Sequence, residues 1–150
     1  MQALFYIDMR DGDPVEMLAR YCRCFPVSKN AVAFFEKLVE GVLAGKEAID
    51  AVIEQYSSNW KISRMPCVDR NIMRIAVFEL MHCEDIPSKV SINEAIDVGK
   101  KFGTEDSGPF INGILDRIRI ALEQEKTTVA GTASEPANPS EGDRLWKQGK

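Results

Sequence analysis

Histidine is nearly absent from this sequence: His82 is the single one in 150 residues. That scarcity removes the commonest general base and metal ligand from almost the whole chain. Cysteine does not compensate. Cys22, Cys24, Cys67 and Cys83 do not form a disulfide framework, and Cys22-x-Cys24 is too tight for a CxxC redox or zinc pair. Reduced, mostly buried thiols are expected, with no metal and no cofactor. A Gly-x-x-x-x-Gly-Lys phosphate loop does not occur, and Gly41 to Gly45 reads as a helix and its stop. No apolar run approaches the ~18 residues needed to span a bilayer. The opening Met-Gln-Ala-Leu-Phe-Tyr-Ile-Asp lacks the basic n-region of a signal peptide, so a cytoplasmic protein without membrane contact is expected. A basic excess is missing too. Net charge is −4, and the stretch after Gln124 carries four basic and four acidic residues, so the acidic excess belongs to the body. An autonomous nucleic-acid binder usually displays a basic face, and this chain does not. No catalytic constellation emerges, and the chain reads as a non-enzyme.

What the sequence does contain is helix punctuation. Strict polar–apolar alternation over four or more residues is absent, so no strand is expected. Met1 to Met9 reads as an apolar helical stub. Asp13-Pro14-Val15-Glu16 opens the next helix with a capping aspartate, a proline at the first position and an acid in the first turn. Its stripe runs Val15, Leu18, Tyr21, Cys22, Phe25, and Pro26 stops it. Ser28 is read as the cap of a third helix with the stripe Val32, Phe35, Leu38, Val39, Val42. Lys46 to Tyr56 is a fourth, burying Ile49, Val52 and Ile53. Ser57-Ser58-Asn59 reads as a loop, after which Trp60 folds back over the bundle.

The run from Asn59 to Asp116 holds three further helices. Pro66 suits a first helical turn, and Val68, Ile72, Ile75, Ala76 and Leu80 recur at helical spacing. Asp85-Ile-Pro87 ends that helix. Ser91 with Glu94 reads as a capping box for the next, closed by Gly103 in the left-handed conformation. The last starts near Asp106-Ser107 and buries Ile111, Ile114, Leu115, Ile118 and Leu122. The expected class is all-α: a single compact bundle of about seven helices over residues 1–125, then a disordered polar tail over 126–150. Leu145-Trp146 in that tail reads either as unstructured or as a short contact motif.

Three residues stand out on residue chemistry alone. His82, at a helix end, is read as interacting with the helix dipole. Glu79 falls on the stripe of Ile72, Ile75 and Ala76, where a charge is costly unless satisfied. A buried carboxylate, hydrogen-bonded to backbone N–H groups or a hydroxyl near Ser91, is expected there. Phe110 lies about a quarter turn off the centre of its buried stripe. Such a ring is either a core-edge phenylalanine or a stacking surface for an unpaired base.

Three blocks in this run also resemble a known family. Asp-Arg-x-Ile-x-Arg-Ile-Ala-x-Phe-Glu-Leu, Ile-Pro-x-Lys-Val-x-Ile-Asn-Glu-Ala-Ile and Phe-Ile-Asn-Gly-Ile-Leu-Asp stand in the order and spacing of the transcription antitermination factor NusB family. The likeness covers roughly Met1 to Leu122. It implies binding of single-stranded boxA RNA in nascent ribosomal RNA, together with a ribosomal small-subunit protein, NusE, within an RNA polymerase antitermination complex. Carried over residue by residue, it places Phe110, with Lys89 and Arg74, on the RNA side. Phe5, Asp69 and Asp106 fall on the partner side, where acids suit a basic ribosomal protein. Bland alternatives stand beside these: Asp106 or Ser107 as a helix cap, Arg74 paired with an acid, Lys89 merely solvated. The family's first helix opens on an arginine-rich stretch. Residues 1 to 20 here hold Arg10 and Arg20 against Asp8, Asp11, Asp13 and Glu16, and the expectation is a basic arm upstream of Met1. The alternative function is a helical protein–protein module without RNA affinity of its own.

Overall fold

The computed structural model describes residues 1–132 apart from Asn59, with side chains described as far as Thr128. Seven α-helices follow one another: α1 (Gln2–Asp8), α2 (Pro14–Cys24), α3 (Val32–Ala44), α4 (Lys46–Tyr56), α5 (Cys67–His82), α6 (Ser88–Phe102) and α7 (Ser107–Thr132). A short 3-10 turn at Ile62–Arg64 leads into α5. No strand occurs among the described residues.

The helix starts divide into those that local chemistry set and those that packing set. Asp13 caps α2 as expected, its carboxylate accepting from the Glu16 N–H at 3.0 Å with Pro14 in the first turn. Ser28 does not cap α3; its carbonyl accepts from Ala31 in a turn, and the helix starts at Val32. Likewise the capping box at Ser91 is not used. The helix α6 begins at Ser88, directly after Pro87, which puts Ser91, Ile92 and Ala95 on its buried face. An earlier start extends that apolar stripe by a turn, and burial outweighs the box. The helix α7 runs to Thr132, past the boundary expected at 125; the rest of the expected tail lies outside the described residues.

The hub is α5, which packs against α1, α3, α4, α6 and α7. Ile72, Met73, Ala76, Val77 and Phe78 are all buried, so the helix is apolar on most of its circumference and not on one stripe. Around it close Leu4 and Ile7 of α1, Val39 and Val42 of α3, and Ile49 and Ile53 of α4. Ile111, Leu115 and Ile118 of α7 complete the enclosure. The outer end of α2 differs from its expected stripe: Met17 and Tyr21 are buried, whereas Val15 and Phe25 are exposed. Of the cysteines only Cys83 is buried; Cys24 is exposed and Cys22 and Cys67 are half-buried.

Two glycines are dictated by close approach. A Cβ on Gly41 of α3 would overlap the Phe78 ring, so this glycine sets how near α3 comes to α5. Gly103 ends α6 with φ −93° and ψ −154°, which is extended and not the expected left-handed form. Its missing Cβ instead makes room for the Ser107 side chain at the start of α7.

Candidate nucleic-acid and partner surface

The turn between α6 and α7 is built on Ser107. Its buried Oγ accepts from the Thr104 N–H at 2.8 Å, while its own N–H donates to the Thr104 carbonyl at 3.1 Å. This fixes the entry of α7, leaving Asp106 exposed and Phe110 one turn further on. Phe110 is half-buried at the edge of the core. Against it, edge-on, stands Trp60, with ring centroids 5.7 Å apart and planes at 66°. Trp60 is 50% exposed, so the pair forms an aromatic surface open to solvent. Arg117 follows Phe110 by two helical turns and donates to Ser58 Oγ at 2.6 Å, and Lys61 sits beside Trp60. Sequence reasoning placed Trp60 on the bundle but did not join it to Phe110. Fifty residues separate the two, and only the α4–α7 packing brings them together.

The other expected site residues distribute unevenly. Lys89 is exposed in the first turn of α6. The start of α7 packs on the far end of that helix, where Gly99 faces Ile111, so Lys89 and Phe110 are about 15 Å apart along the helix axis. Arg74 is 5% exposed and faces inward. Its guanidinium holds the Asp50 carboxylate in two bonds of 2.7 and 2.8 Å and reaches Asp8 at 3.2 Å. The ion-paired alternative describes its environment, and an arginine so enclosed does not present itself to a phosphate. Asp69 is 3% exposed, with Oδ1 lacking a hydrogen-bond partner among the described residues, so it is not an outward acid in this structure. Phe5 is 37% exposed on α1, one turn before Asp8. Asp8, at the end of the same helix, reaches Arg70 and Asn71 in the first turns of α5. Asp106 belongs with Phe110.

The network centred on Asp8 joins α1, α4 and α5. Arg70 donates to it at 2.7 Å, Asn71 at 3.2 Å, and Lys46 lies 3.6 Å away. Burial opposes its charge, but the Arg70 hydrogen bond and the Arg74 and Arg70 charges outweigh it, holding the carboxyl down to about 2. Glu79 is the opposite case. It is half-buried, lining an apolar groove of about 210 Å³ between α1, α3, α5 and α6 with Ile75, Ser91, Glu94 and Ala95. Burial pushes its carboxyl up, and the charge of Glu94 adds to that. The Ser91 hydroxyl works against the rise, although the pair falls short of a well-formed hydrogen bond. The expected hydrogen-bonded buried carboxylate is therefore replaced by a partly solvated one that shares a largely apolar groove with Glu94. His82 is exposed at the end of α5, its ring 5.0 Å from Phe78.

A helical scaffold that carries an open aromatic face at the start of α7 has the build of a helical recognition domain. The NusB family profile matches residues 1–119. A transcription antitermination protein NusB from Desulfatibacillum aliphaticivorans is 51% identical over 126 residues, covering 84% of this chain and 88% of its own. One from Myxococcus xanthus is 43% identical, covering 83% and 91%. Among solved structures, T. maritima NusB superposes with a TM-score of 0.73 at 37% identity, covering 85% of this chain and 90% of its own. A complex of the antitermination factors NusB and NusE with double-stranded RNA matches at TM-score 0.71 and 29% identity, covering 79% and 89%. This chain belongs to the NusB family.

Proposed function

We propose that this chain is a transcription antitermination adaptor. It binds single-stranded boxA-type RNA of nascent ribosomal RNA jointly with the ribosomal protein NusE, in the cytoplasm, as part of an RNA polymerase antitermination complex, and it catalyses nothing. Family membership across the body supplies the class. The observation that carries the RNA reading is the solvent-open pair of Phe110 and Trp60 at the start of α7. Aromatic faces of this kind hold unstacked bases, each worth ~1–3 kcal/mol, and a duplex offers no such free faces. Of the partner-side residues, Phe5 and Asp106 are open to contact, whereas Asp69 is covered.

Charge decides how the affinity divides. With a net charge of −4, the chain has no overall positive potential to draw phosphates, so its own RNA binding is weak and a basic partner provides most of the counterion release. The test is anisotropy of a labelled single-stranded boxA RNA, with and without NusE, at two salt concentrations and with unlabelled duplex as competitor. Binding is expected to tighten markedly when NusE is present, with a steeper salt dependence, and duplex is expected to compete poorly. Absence of RNA binding in every mixture establishes the plain protein-interaction module instead.

A further inference from the structure

We infer that Trp60 is a second RNA-contacting ring, which stacks an unpaired base next to the one held by Phe110. Lys61 and Arg117 supply positive charge to the connecting backbone. The inference rests on the RNA reading proposed above and extends it to a residue of the α4–α5 connection.

Trp60 is held in place from both sides. Before it, the buried Ser57 Oγ donates to the Trp60 carbonyl at 2.7 Å, and the Trp60 N–H donates back to the Ser57 carbonyl at 3.3 Å. After it, the Ile62 N–H donates to Glu54 Oε1 at 2.9 Å. Arg117 clamps the same connection to α7 through Ser58 Oγ and the Tyr56 carbonyl. A half-exposed indole on so fixed a backbone loses little freedom when a ligand covers it, which favours binding. The chemistry around it fits a polyanion with planar bases. Lys61 has its side chain 68% exposed, with Glu54 3.3 Å away. Arg117 has no acidic partner among the described residues, and it lies on the same face of α7 as Phe110, seven residues on.

The angle between the rings adds a geometric consequence. At 66°, bases lying on the two faces cannot stack on each other. The site therefore takes two successive bases splayed apart, a geometry open to single strands and closed to a helix.

The test uses the full chain with NusE and a labelled single-stranded boxA RNA. Trp146→Phe leaves Trp60 as the only tryptophan of this chain, and the difference from the double change Trp60→Phe, Trp146→Phe isolates its emission. RNA is expected to quench Trp60 saturably at the midpoint seen by anisotropy, and NusE alone is not. Trp60→Ala is expected to weaken binding by roughly 5- to 150-fold, with Trp60→Phe restoring most of it. Helical circular dichroism checks that Trp60→Ala is folded, and the quenching readout needs no destabilised variant. If RNA binds and Phe110→Ala weakens it, while Trp60 emission and Trp60→Ala affinity stay unchanged, the inference falls and the adaptor reading stands. If NusE rather than RNA quenches Trp60, the ring is a protein contact and the inference falls likewise. If no RNA binds at all, both readings fall together.

Discussion

Asp8 is the residue on which three helices converge. Its carboxylate, 11% exposed, answers Arg70 and Arg74 of α5 and Lys46 of α4 from the last residue of α1. Its carboxyl is held down to about 2, below the ordinary aspartate value of 3.8. The stabilisation is therefore present above pH ~4 and is lost as pH falls from there toward 2, to the extent of ~2 kcal/mol. Urea unfolding of the parent is expected to show that loss, and Asp8→Asn is expected to be weaker at pH 7 and to lose ~2 kcal/mol less than the parent through the same window. Parallel curves for the two proteins contradict the assignment. The sequence allowed an acid partner for Arg74 but did not point to which, because Asp8 and Asp50 stand 66 and 24 residues from it. Arg74 sat in a block that a family likeness marked for RNA, yet local sequence holds no signal of partners so distant. Asp69 misled for a similar reason: an acid in a first helical turn reads as solvated until packing covers it.

At the scale of elements, α5 explains both what sequence reading found and what it missed. The bounds of α4 were legible because Gly45 and Ser57 bracket an unbroken apolar repeat. The inner stripe of α7 was legible for the same reason, and Ile111, Leu115 and Ile118 are fully buried. The starts of α3 and α6 were not: Ser28 closes a turn with Ala31 and the helix follows it, while at α6 an earlier start that buries Ser91 and Ile92 prevails over the cap. Close packing on α5 also makes a sharp prediction. Alanine for glycine inside an exposed helix normally gains up to ~1 kcal/mol. Gly41→Ala is expected to cost ~1–3 kcal/mol instead, because its methyl would enter the space of the Phe78 ring. Phe78→Leu in the same chain is expected to recover part of that cost, and equilibrium denaturation of the four proteins of the cycle measures the coupling. Additive single effects contradict the contact.

For the whole molecule, the decisive property is an acidic body that keeps the Phe110–Trp60 corner open. The class, seven helices and no strand among the described residues, followed from periodicity and helix stops. The corner followed only in half, since Phe110 was visible as an off-stripe ring while its neighbour came from a connection that folds back. Direct measurement of the account's central claim is the affinity of labelled single-stranded boxA RNA for the NusE-bound chain, parent against Phe110→Ala. Loss of one stacked base predicts a weakening of roughly 5- to 150-fold with helical content and NusE binding unchanged. Equal affinity of the two proteins for that RNA contradicts the account.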